Sequence, residues 1–131
     1  ARVHDALLAG TDRRPHPDLT IAVDRSAAVA RLAGDGGCAL CARAADLWLR
    51  CLARRAGDLA LTYLARGGIV LGGVAAHWLP QLRQLAFREA VRGHSPMREL
   101  LAEIPIRVVV ADDAALRGAA RHALHRLDAA P

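Results

Sequence analysis

The sequence predicts a helix-rich α/β fold: two short parallel strands served by long helices. Three observations carry this. Ile69-Val70-Leu71 is a brief apolar run bounded by glycines, as a strand covered on both faces is. Ile106-Arg107-Val108-Val109-Val110-Ala111, after Pro105, is a second, β-branched run. Around and between them, apolar residues recur at three- and four-residue steps, the period of an amphipathic helix. A strand–helix–strand order with short connections predicts parallel pairing and a right-handed crossover.

Residues 1–37 read as a helical and loop extension ahead of an α/β part over 38–131. Val3, Ala6, Leu7 and Leu8 close a short first helix. Gly10 to Pro17, containing Asp12-Arg13-Arg14, is a loop. Thr20 or Asp24 caps a helix running to about Leu32, with Ala28, Val29 and Leu32 on its apolar face. Gly34-Asp35-Gly36-Gly37 stops it.

A long helix is predicted from Cys38 to about Ala65, with Leu40, Ala44, Leu47, Trp48, Cys51, Leu52, Leu59 and Tyr63 inward. Gly57 falls inside it and costs about 1 kcal/mol against alanine. It therefore marks a kink or a close packing contact. After the first strand and Gly72-Gly73, a helix over Ala75–Val91 is expected to bury Trp78, Leu79, Leu82, Leu85 and Ala86. Pro80 lies in its first turns, where a missing N–H is best tolerated.

Gly93-His94-Ser95-Pro96 is a turn, and Met97–Glu103 a short helix with Leu100 and Leu101 inward. The second strand follows. Asp112 or Asp113 caps a last helix to about Leu127, with Leu116, Ala119, Ala120, Ala123 and Leu124 inward. The two strand–helix units match in length and shape. Two strands are too few for a buried parallel sheet. The chain is thus expected to be the C-terminal part of a larger domain, and to form a homo-oligomer that covers its open sheet edge and apolar faces.

Composition narrows the function. Of 131 residues, 53% are hydrophobic, which excludes a disordered chain. The uncharged run Gly67–Gln81 is too short and too broken by glycines to span a membrane. The net charge is +5, yet all 18 basic residues are arginine, dispersed through an alanine-rich chain. Aromatics are 3%, so stacking platforms for nucleic acid are nearly absent. Nucleic acid is not an expected partner. Three cysteines without a secretion signal point to the reducing cytoplasm.

Gly72-Gly73 is the chief binding candidate. Paired glycines between a strand and a helix let a ligand approach the backbone, and the helix turns unpaired N–H groups toward it. Such a junction suits a nucleotide or phosphate, or is simply a tight turn. Asp112-Asp113 offers paired carboxylates for Mg²⁺ or acid–base work, with a helix cap the favoured reading. Cys38-Ala39-Leu40-Cys41 has redox spacing, but it follows a helix instead of a strand, and no further zinc ligands are evident. His122 and His125 share a helix face and read as an exposed pair. Ser95 reads as a cap. No metal site and no catalytic residue is expected.

The segment from Cys41 to Leu124 resembles the C-terminal end of bacterial glucokinases, which have the hexokinase or actin-like superfold. The landmarks are Ala56-Gly57-Asp58-Leu59-Ala60-Leu61 and Gly67-Gly68-Ile69-Val70-Leu71-Gly72-Gly73. Leu100-Leu101-Ala102-Glu103-Ile104-Pro105-Ile106-Arg107-Val108-Val109 and Ala115-Leu116-Arg117-Gly118-Ala119-Ala120 follow in order. The resemblance implies a partial ribonuclease-H-like (actin-like) domain and a parent enzyme passing phosphoryl from ATP, with Mg²⁺, to glucose in glycolysis. It also implies that Gly72 and Gly73 lie on the adenosine side of the ATP site. The chain departs from the family where its first strand is one residue shorter. Ala75-Ala76-His77 also replaces a proline- and arginine-containing helix start. The family's sugar pocket, catalytic aspartate and phosphate loop precede this region.

Overall fold

Small residues and side-chain caps set the architecture of this computed structural model, which describes residues 1–11 and 14–128. Asp12 and Arg13 of the expected Gly10–Pro17 loop lie outside the described residues. Helix α1 spans Arg2–Ala9. The short helix α2, Pro17–Ile21, was not foreseen; Pro17 sits in its first turn and His16 Nδ1 accepts from the Asp18 N–H at 3.3 Å. Helix α3, Arg25–Gly34, starts where Asp24 accepts from the N–H groups of Ser26 and Ala27, at 2.8 and 3.1 Å. It buries Ala28, Val29 and Leu32, as its pattern predicts.

Helix α4, Ala39–Thr62, is the spine of the fold. Helices α1 and α3 pack against it, as does α6, Leu85–Arg92. Of the residues expected inward Ala44 is buried, but the rest of the buried face differs. Cys41, Ala44, Ala45, Ala53, Ala56, Gly57 and Ala60 are buried, whereas Cys51, Leu47, Leu59 and Tyr63 are exposed. Leu40, Trp48 and Leu52 are half-buried. Small side chains let helix axes approach closely, so the larger residues are displaced to the flanks. Gly57 is the tightest point: a Cβ there would collide with the Val91 carbonyl of α6. It marks a packing contact.

Helix α4 ends in a Schellman arrangement, with Ala65 N–H donating to Ala60 O at 2.9 Å and Leu64 N–H to Leu61 O at 3.2 Å. Leu64 takes the left-handed position usually held by glycine, at φ 47°. Strands β1, Ile69–Leu71, and β2, Ile106–Val108, then pair in parallel, with Ile69 opposite Ile106 and Leu71 opposite Val108. β2 is shorter than the expected Ile106–Ala111. β1 is covered on one face only: Leu71 is buried, Val70 is 64% exposed.

The expected helix over Ala75–Val91 breaks into a 3₁₀ turn, Gly73–Trp78, then α5, Leu79–Leu82, then α6. Pro80 explains the first break. It has no N–H to give, and its ring would strike the carbonyl four residues back. The phase shift buries Phe87 and Val91 beside Trp78 and Leu82, and exposes Leu85 and Ala86. These residues join Ala45, Ala53, Leu71 and Ala75 in the main core. Helix α7, Arg98–Glu103, buries Leu101 against Ala60 and Ile104. The last helix, α8, Ala114–Asp128, buries nothing. Leu116 and Leu124, expected inward, are 72% and 62% exposed. Among the described residues, no helix is long and apolar enough to cross a membrane.

Candidate functional site

Parallel pairing brings both strands to a common C-terminal edge, the place where open α/β sheets receive ligands. The last rung of the ladder joins the Val109 N–H to Leu71 O at 2.8 Å. Gly72 then leaves the sheet in extended conformation, φ −134° and ψ −177°, open to any residue. Gly73 turns into the left-handed region at φ 61°, which favours glycine. Ala75 and Trp78 are buried and pin the 3₁₀ turn that follows. Trp78 in turn packs on Trp48 of α4, ring centroids 5.5 Å apart.

The two glycines are exposed, and a Cβ built on either meets no heavy atom of the described residues within 4 Å. Their backbone therefore faces open space, held from beneath by a rigid core. Cavities of about 410 and 480 Å³ lie elsewhere, one between α4 and the α5–α6 segment, the other among Arg50, Arg54 and Arg98. The glycine turn is an open ledge.

Asp112 and Asp113 follow β2 at the same edge and are exposed. Asp113 accepts from Arg117 Nε at 2.7 Å, so its carboxylate is turned along α8 instead of capping the backbone. His122 and His125 are exposed on α8, as expected. Ser95 Oγ accepts from the Met97 N–H at 3.1 Å and so closes the turn ahead of α7, whose N-cap is Met97 with no side-chain cap bond; Ser95 is not the helix cap expected of it.

Cys38 and Cys41 have a role that their spacing alone hid. Cys38 is the N-cap of α4, its Sγ accepting from the Cys41 N–H at 3.2 Å. Cys41 is fully buried, and burial, then the hydrogen bond with Cys38, pushes its thiol up to about 12. A thiol so protonated is a poor redox nucleophile. Beside this pair lies buried His4, to which the sequence pattern assigned nothing. Its partners are more than thirty residues away in the chain, beyond the reach of any local spacing rule.

Comparison with known proteins adds a family. A family model described as Glucokinase matches residues 1–126. The glucokinase of Mesorhizobium japonicum is 35% identical over 117 residues, 88% of this chain and 33% of that protein. That of Chelativorans is 40% identical over 79 residues, 60% of this chain and 23% of that protein. That of Synechocystis is 37% identical over 102 residues, 77% of this chain and 29% of that protein. The chain thus spans a third or less of the length of these relatives.

Proposed function

The chain belongs to the glucokinase family, matching the C-terminal portion of bacterial members, and from that premise we propose that it forms the adenosine side of an ATP cleft. The parent enzyme would pass phosphoryl from ATP to glucose, giving glucose 6-phosphate for glycolysis in the cytoplasm. The helix-rich α/β arrangement with two parallel strands is then one part of an actin-like large domain. Residues 38–131 supply that part, and residues 1–37 are an extension lying over α4.

One observation carries the proposal: the open Gly72-Gly73 ledge at the C-terminal edge of a parallel strand pair. With no side chain over either residue, a flat base or ribose can lie against backbone. Gly72 is extended and Gly73 left-handed, and buried Ala75 and Trp78 anchor the turn that follows, so the nucleotide would lie against backbone already turned toward open space.

Phosphoryl transfer to a sugar hydroxyl also needs a carboxylate near the attacking oxygen, Mg²⁺ on the phosphates and donors around them. Asp113 is paired with Arg117, and no step is assigned to it or to Asp112. We place the reacting groups in the two thirds of the enzyme that this chain does not span. The 131-residue chain alone is inactive on this reading.

Calorimetric titration of ATP into the chain tests it. Gly72→Val is the sharper variant, because an extended residue with open space around it accepts a side chain without strain. Saturable binding that disappears in Gly72→Val, with the melting temperature unchanged, supports the nucleotide wall. Equal binding in both proteins refutes it.

A second reading, a non-catalytic interaction or dimerisation module diverged from a sugar kinase, draws on α8, which buries no residue. It predicts tight self-association with no ATP binding. Self-association is part of the first reading too, since Val70, Leu116 and Leu124 are bare. A clean monomer by sedimentation would count against both on this point.

A further inference from the structure

We propose that His4, Cys38 and Cys41 form a binding site for a thiophilic divalent cation, Zn²⁺ by preference, which fastens α1 to the start of α4. A ring nitrogen of His4 and the two Sγ atoms lie within 4.8 Å of one another. Tetrahedral zinc, with bonds of about 2.0 Å to nitrogen and 2.3 Å to sulfur, spaces such atoms roughly 3.5–3.8 Å apart. Closing the triangle thus asks for movements of about 1 Å, within the reach of side-chain torsions.

His4 supplies the independent sign of a ligand. It is 1% exposed, and its Nε2 is buried with no hydrogen-bond partner among the described residues. A buried polar atom left unpaired is costly and calls for an explanation. The other ring nitrogen is spoken for: Nδ1 lies 3.3 Å from Asp5 Oδ1, and Arg25 Nη2 donates to the same oxygen at 2.7 Å. With its proton on Nδ1, the ring offers its free lone pair at Nε2. A carboxylate orienting a histidine in this way is the usual support of a metal-bound imidazole.

The cysteines fit the same role. Cys38 stands at the N-terminus of a 24-residue helix, where negative charge is favoured. Its sulfur already receives the Cys41 N–H. Two thiolates and a neutral imidazole balance a dication, so the bound site carries no net charge into its buried surroundings. Sulfur and nitrogen donors select zinc over calcium or magnesium. On binding, the cation replaces two thiol protons, which pass to solvent, and a water completes the tetrahedron. Neither Gly72 nor Gly73 is involved, so this site and the nucleotide ledge stand or fall separately.

The test is Co²⁺ titration of the reduced, metal-free full chain, followed by Zn²⁺. Expected are one Co²⁺ per chain, the visible bands of tetrahedral cobalt with sulfur-to-metal charge transfer, bleaching by Zn²⁺, and a Zn²⁺-dependent rise in melting temperature. Cys38→Ser keeps the helix cap, since a serine oxygen accepts from the same N–H. It should hold its helix content and lose the thiolate bands. Asp5→Asn should weaken affinity about 10- to 100-fold. Cys51→Ser, which changes an exposed thiol outside the cluster, should leave binding intact. Bands that survive Cys38→Ser, or that vanish in Cys51→Ser, would overturn the site, as would failure to take up cobalt at all.

Discussion

The two strand–helix units begin alike and end differently. Each leaves a three-residue parallel strand for a helical segment. After β1, the segment folds back on α4 and buries Trp78, Leu82, Phe87 and Val91. After β2, α8 also carries an apolar face at helical spacing, yet it buries no residue. The difference lies in what each segment meets. The first finds a face of alanine and glycine on α4 into which large side chains fit. The second has no such face within the described residues. Amphipathic spacing states what a helix can bury; a partner surface decides whether it does.

The largest predicted effect falls on the first unit. Trp78→Ala should lower stability by about 3–5 kcal/mol, read from the midpoint of urea unfolding. That is a large share of what a small domain has. Gly57→Ala should follow at about 1–3 kcal/mol, because the added methyl forces α4 and α6 apart at the Val91 carbonyl. A smaller cost would mean that the contact is looser than it is drawn.

The glycine pair separates next. Gly73→Ala should cost about 1 kcal/mol for its left-handed backbone, whereas Gly72→Ala should be close to neutral. Leu116→Ala on α8 should stay within about 0.5 kcal/mol in the monomer. If it rivals Trp78→Ala, a partner covers α8 in solution and the contrast between the units disappears.

Acid should act on the platform beneath the first unit. The N–H groups of Ala27 and then Ser26 hold the Asp24 carboxyl below its ordinary 3.8. The folded state thus favours the charged cap. That stabilisation is whole above pH 3.8 and is lost as the pH falls through the lowered folded value. Asp24→Ala should therefore flatten the acid limb of helicity measured by circular dichroism.

Local chemistry was the legible part of the fold. The Asp24 cap, the glycine stop after α3, both strands, their parallel order and the three residues α3 buries follow from side-chain chemistry and spacing. What depended on distant partners was not legible. Hydrophobic periodicity weighs leucine and tyrosine above alanine, so it placed Leu59 and Tyr63 inward on α4, while close approach selected Ala53, Ala56 and Gly57. Pro80 was tolerated in the expected helix but in fact divides it. At the candidate ledge, the glycine pair was visible as a motif, and its openness was not. His4 carried no signal at all until folding set it beside Cys38 and Cys41.

Amide hydrogen exchange with and without saturating ATP tests the nucleotide ledge most directly. Protection is predicted over Gly72–Ala76, with a weaker echo over Val109–Asp112, and no change along α8. Unaltered exchange at Gly72–Ala76 while ATP is bound elsewhere would contradict it.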